Sequence, residues 1–471
     1  MLPIVAVWIW LFFLAMLAFV VDFGQIYFYY SDLRASTEAA AMAGAEAMTA
    51  GTNPTTVATS YSGVAGNYNV TIPGVSIASG YPKYQCSTTL QNSGTGCITY
   101  TGGGAATANE VIVQQQVSVP LYFTAMLGIH STTLSYTATA EIAGAAAKKY
   151  NVAVVIDTTG SMSSSESGET GCSTRIACAL LGFQTLMKGL TPCTGTAASC
   201  GTVTATNAVD RVALYTFPGF TSTSYATQDS NCSGRLGNSA IAPYSFTNGV
   251  SSTIYQVINF AGDYKSGSGS TTLNTSSTLA KSAGTSGSGC SGLQDIGGSG
   301  TYYAGVIAQA QSDLVAAQTA STAAGVETYN VMIILSDGDA SSSRFSGASN
   351  VKPAAGVAAT YPSSYDQCQQ AISQAQAATA AGTRVITVAY GASSSGCSTD
   401  VTGPLKGISP CQAMQDMASN VNLDFFTDVG ASQNAGQCNT PSGALPASNL
   451  NTIFSEIAGS LSTARLVPNG T

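Results

Sequence analysis

The chain has 471 residues, of which only 8% are charged and 45% hydrophobic, and it carries a formal net charge of -8. That length suits about three domains. The composition excludes intrinsic disorder, which needs low hydrophobicity with high net charge, and the acidic balance excludes a nucleic-acid partner, which needs clustered Lys and Arg. A single histidine removes most His-based catalysis and most zinc chemistry.

From Leu2 to Val21 the sequence is apolar without a charge until Asp22, the length a helix needs to cross a bilayer core. It lacks the basic start and the cleavage site of a signal peptide, so a retained transmembrane helix through residues 2–21 is expected. The pattern stays helical to about Thr49, a rod on the order of 70 Å at 1.5 Å per residue. Ala35, Ala39, Ala40, Ala43 and Gly44 would let a second helix approach closely. Residues 1–51 therefore read either as a membrane anchor with a stalk or as a pilin-like helix that bundles with others.

Residues 52–148 change to short β-branched stretches broken by Gly, Asn and Pro, which predicts a small antiparallel β module. Cys86 and Cys97 fall in one of its loops. His130 follows a turn beside Ser131 and Thr132 and reads as structural or solvated. Lys148 and Lys149 read as a solvated junction. The chain holds 12 cysteines and no Cys-x-x-Cys pair, which favours disulfides in an oxidising compartment over zinc clusters. Local pairs inside loops are expected, with buried free thiols as the alternative.

Residues 149–471 alternate apolar strands with helices, which predicts a doubly wound α/β sheet. The strands begin at Asn151–Asp157 and Asp210–Phe217 and continue with Tyr329–Asp337 and two later ones. Insertions fall at about 191–207, with Cys193 and Cys200, and at about 218–299, stapled by Cys232 and Cys290. An edge strand is expected within the latter, at Ser252–Phe260. Loops after the strands that flank a switch point converge in one crevice. Asp157, Thr159 and Ser161 lie on one such loop, Asp337 ends another strand, and Thr301 opens the intervening helix. Five oxygen groups facing one point suit Mg²⁺, with Mn²⁺ or Ca²⁺ as alternatives. The bland alternative is that Thr159 and Ser161 cap a turn and Asp337 caps a helix.

Two family resemblances follow from these residues. Val21, Asp22 and Gly24, then Leu33, Ala35, Ala39 to Ala41, Ala43, Gly44 and Ala45, resemble the TadE/TadG-like proteins of the tight-adherence (Tad, or Flp) pilus. Thr37 and Glu38 depart from that pattern. Phe123 to Gly128 and Ala138 to Ala140 look like the TadG β module. The Asp-x-Thr-x-Ser loop, Thr301 and Ser336-Asp337-Gly338 resemble the von Willebrand factor A (vWA, integrin I-like) domain, a Rossmann-like fold, and its metal-ion-dependent adhesion site. That resemblance implies metal residues Asp157, Thr159, Ser161, Thr301 and Asp337, with an open coordination position for a partner's carboxylate. Asp339 is a nearby alternative to Asp337, though it is expected to point away.

Together these imply a bacterial cell-envelope protein, membrane-anchored or extracellular on a pilus or filament. Its function would be adhesion or assembly through a Mg²⁺-dependent head. The alternative is a structural filament or envelope subunit whose head only displays or packs. Partners would be other pilin-like Tad proteins through the N-terminal helix, an extracellular carboxylate ligand, the membrane through residues 2–21, and further copies in a homo-oligomer or filament. No catalytic residues and no enzyme are expected, because His130 lies in a different module from every plausible nucleophilic serine.

Overall fold

A computed structural model describes residues 2–49, 52–63, 68, 74–88, 97–100, 102, 107–142, 149–166, 169–193, 200, 203, 207–228, 232, 238–242, 244–247, 250–267, 270, 272–297, 300–336, 339–343, 345–391, 396–428, 448–461 and 465–467. The chain divides into two units, Met1–Ala147 with Thr463–Thr471, and Lys148–Ser462.

In the first unit, α1 (Leu2–Thr49) is one helix of 48 residues. Leu33, Ser36, Thr37, Ala40, Ala41, Ala45 and Met48 are buried, a helical spacing that lays one stripe on a sheet. That sheet is built on a long hairpin, β3 (Glu110–Pro120) and β4 (Ser131–Glu141). Two short strands, β1 (Ser76–Ile77) and β2 (Lys83–Gln85), pair antiparallel with β3. The three-residue strand Arg465–Val467 returns to pair with the end of β4. Ser36 and Thr37 donate to the Gln115 side chain of β3 at 2.6 and 3.2 Å. Thr37, where the Tad pattern has alanine, is thus part of the helix–sheet seam.

The expectation of a transmembrane helix is corrected here. Among the described residues, no helix is long and apolar enough to cross a membrane. The apolar run at 2–21 is not a separate span but the first part of a rod that continues through Asp22, Asp32, Arg34, Glu38 and Glu46.

The second unit holds a six-stranded sheet. Its strands are β5 (Tyr150–Asp157), β6 (Asp210–Phe220), β7 (Ile254–Ala261), β8 (Tyr329–Ser336), β9 (Thr383–Ala389) and β10 (Phe425–Thr427), in the order β7-β6-β5-β8-β9-β10. All neighbours run parallel except β7, the antiparallel edge, which lies in the insertion stretch predicted to supply it. Every residue of β5 after Tyr150 is buried, as expected when helices cover both faces. Val152, Val154 and Ile156 pack under α2 (Arg175–Gly189) and the last helix, Leu450–Leu461. Ala153 and Val155 pack on the opposite side against α3 (Tyr303–Ala323) and α4 (Gln367–Ala380). Strand order reverses at β5, so the ends of β5 and β8 border the crevice where such sheets place their sites.

Disulfides join Cys172–Cys178, Cys193–Cys200, Cys232–Cys290 and Cys368–Cys397 in this unit, and Cys86–Cys97 in the first. No cysteine among the described residues is free.

Candidate functional site

β5 ends at Asp157, whose buried carboxylate organises the loop after it. Its Oδ1 accepts from the Thr159 amide at 2.8 Å and the Thr159 hydroxyl at 2.6 Å, the local turn that an aspartate builds with the backbone two residues on. Thr159 and Ser161 hydroxyls lie 3.0 Å apart. Oδ2 accepts from the Ser336 hydroxyl at the end of β8, at 2.6 Å. Ser336 in turn accepts from the Tyr303 hydroxyl on α3 at 3.0 Å. Two neighbouring strands and one helix are therefore tied at a single carboxylate.

In front of this network lies a cavity of about 420 Å³, lined by Thr159, Gly160, Ser161, Gly297, Gly300, Thr301, Asp339 and Ser341. Ile296 N–H donates to Thr158 O at 3.1 Å and Ser341 N–H donates to Thr301 O at 3.1 Å, which stitches the three loops together. Tyr244 donates to Gly300 O at 2.7 Å. Burial, then the neighbouring Tyr255 and Asp157, hold the Tyr244 phenol well above its ordinary pKa.

Three of the five expected site residues, Thr159, Ser161 and Thr301, line the cavity. Asp157 stands behind them through its bonds to Thr159. Asp337 lies outside the described residues. Asp339, expected to point away, lines the cavity instead. Its Oδ2 accepts from the Ser398 amide at 3.1 Å, whereas its Oδ1 is buried with no hydrogen-bond partner. Sequence reasoning also missed the contributions of Ser336, Tyr303 and Tyr244. Only Ser336 left a signal, as part of the Ser336-Asp337-Gly338 turn.

The cavity donors are all oxygen, and one buried carboxylate oxygen lacks a partner, so the residues fit a hard divalent cation. Asp339 also lies within ligand spacing of the Cys368 and Cys397 sulfurs, a group with the dimensions to hold a metal. Those sulfurs form a disulfide, and metals take thiolates, so in the oxidised chain only Asp339 of that group has a ligand atom to offer.

Comparison with solved structures finds only loose similarity. The pilus adhesin SpaC of Lactobacillus rhamnosus GG is 13% identical with a TM-score of 0.36, covering 78% of this chain and 34% of SpaC. The chain thus spans about a third of the adhesin it matches. BatB, a conserved hypothetical protein of Bacteroides thetaiotaomicron, is 12% identical with a TM-score of 0.31, covering 67% of this chain and 98% of BatB. Proximal thread matrix protein 1 of the mussel byssus, in a structure whose MIDAS motif is occupied by zinc, is 12% identical with a TM-score of 0.28, covering 69% of this chain and 49% of that one. No family model and no curated relative matches the chain. Among the described residues no nucleophile meets a histidine, His130 being exposed beside the hairpin turn of the first unit.

Proposed function

We propose that the chain is a non-enzymatic, pilus-associated subunit of an extracellular adhesive assembly. In this reading α1 packs it among equivalent copies, and the doubly wound unit is a displayed head. The observation that carries it is the outer face of α1. Trp10, Val20, Phe23, Tyr27 and Phe28 are 54–76% exposed on one helix, and large apolar side chains grouped this way call for a partner. The sequence from Leu2 to Val21 carries no charge, so equivalent helices can pack side by side without burying an ion. The resemblance of this helix to TadE/TadG proteins supports the same reading. Head loops stapled by disulfides suit exposure outside the cell.

A second reading is favoured by the cavity. Thr159, Ser161 and Thr301 would hold Mg²⁺ with Asp157 and Asp337 behind or beside them, and the ion would supply positive charge to a partner's oxygen. Surface attachment of cells carrying the full chain separates the two. A display head predicts attachment unchanged within about twofold by EDTA or Asp157→Ala. A drop on the order of tenfold or more under both, the size of losing a metal-ligand interaction, overturns that and favours cation-dependent capture.

A further inference from the structure

We infer that Asp339 is the chain's own carboxylate ligand for a cation in this cavity, so that the bound ion staples the head's loops and does not capture an acidic partner. This rests on the cation reading of the site and departs from it in what the cation does.

Asp339 lines the same cavity as Thr159, Ser161 and Thr301. One of its oxygens is fixed by the Ser398 amide. The other is buried with no hydrogen-bond partner, and among the described residues no Lys, Arg or His pairs with this carboxylate. A buried carboxylate oxygen left without a donor is costly, and its cheapest remedy in an all-oxygen cavity is a hard cation. The carboxylate is held in place from outside the cavity. The Cys368–Cys397 disulfide ties α4 to the segment that carries Ser398, and the Thr399 hydroxyl donates to Ala340 O at 3.0 Å. Asp339 is therefore held at its carboxylate by Ser398 and at the following residue by Thr399.

The consequence is one of charge and occupancy. A site completed from within already has its anionic ligand next to the hydroxyls. A second carboxylate, from a partner, would meet like charge there and compete for the same cation. An ion so held joins Thr159 and Ser161, Gly300 and Thr301, and Asp339 and Ser341 to one another. It would stabilise the head without opening it to acidic ligands.

The test uses the full chain in oxidising buffer with Mn²⁺ as the probe, its affinity read by electron paramagnetic resonance of the free ion and its effect by melting temperature. Acetate serves as the carboxylate probe. The expectation is that Mn²⁺ raises the melting temperature of the native chain. Asp339→Asn should weaken Mn²⁺ on the order of tenfold or more. Acetate should leave Mn²⁺ affinity unchanged in the native chain and tighten it in Asp339→Asn, where a position has been vacated. Asp339→Ser is the second variant, and equal melting temperatures in EDTA establish that both variants are folded. Unchanged Mn²⁺ affinity in both, with binding abolished by Asp157→Ala, overturns the role of Asp339 while leaving the cation site standing. Acetate tightening Mn²⁺ in the native chain overturns it equally. Absence of Mn²⁺ binding to the native chain overturns the cation reading itself, and this inference with it.

Discussion

Asp22 sits on α1 with 3% of its surface exposed, facing the hairpin turn between β3 and β4. Its carboxylate accepts from the amides of Tyr122 at 2.9 Å and Thr124 at 2.8 Å, from the Phe123 amide at 3.2 Å, and from the Thr124 hydroxyl at 3.0 Å. Burial pushes its pKa up, and the amides of Thr124, Tyr122 and Phe123 more than offset this, leaving it below the ordinary 3.8. The latch is therefore complete above pH 3.8 and is lost as pH falls through the lowered value. Asp22→Asn removes one acceptor oxygen and sets an NH₂ against those donors. Thermal melts of the full chain from pH 7 to 2 should show a lower melting temperature for the variant and a flatter acid limb. Two sequence motifs, Val21-Asp22-x-Gly24 and Phe123 to Gly128, were legible only as separate resemblances; the structure makes them the two halves of one contact. Asp157, Thr159 and Ser161 were legible because a strand end fixes where a loop begins. Asp339 was legible only as an alternative to Asp337, since its direction depends on a clamp built by Cys397 and Ser398, some 60 residues further on.

Strand and helix alternation made the second unit's sheet readable, because buried parallel strands are apolar on both faces. How tightly the helices pack was not readable, since small residues at a helix crossing carry no period of their own. A Cβ at Gly182 of α2 would fall 2.3 Å from Cδ2 of Phe454, and one at Gly189 would fall 2.5 Å from Cβ of Ala458. Alanine normally improves a helix by up to about 1 kcal/mol over glycine. At Gly182 the sign should reverse, with Gly182→Ala costing about 1–3 kcal/mol through overpacking. Denaturant unfolding would read this as a lower midpoint at unchanged slope; a stabilised variant would show that Phe454 has room to move. The stapling of the long insertion was readable from Cys232 and Cys290, and their bond closes a separation of 58 residues. On the chain-entropy account such a closure contributes about 4 kcal/mol.

At the scale of the whole molecule, the sequence carries its two signals unequally. The doubly wound unit follows from alternation over three hundred or so positions, each weak and all in agreement. The return of Arg465–Val467 to the first unit's sheet had no such signal, because three residues are too few to show a period of two. The role of α1 is similarly split: its length was plain, but the sequence left a bilayer span and a bundling helix both open, and the proposal that other copies cover it rests on the exposed aromatic residues outside its sheet-bound part. Sedimentation velocity of the full chain over a hundredfold concentration range tests this most directly, alongside a variant carrying Tyr27→Glu and Phe28→Glu. Assembly through α1 predicts that the native chain sediments as oligomers that grow with concentration, while the variant shifts to monomer with its melting temperature unchanged. A native chain that stays monomeric throughout, or a variant that assembles equally well, would contradict it.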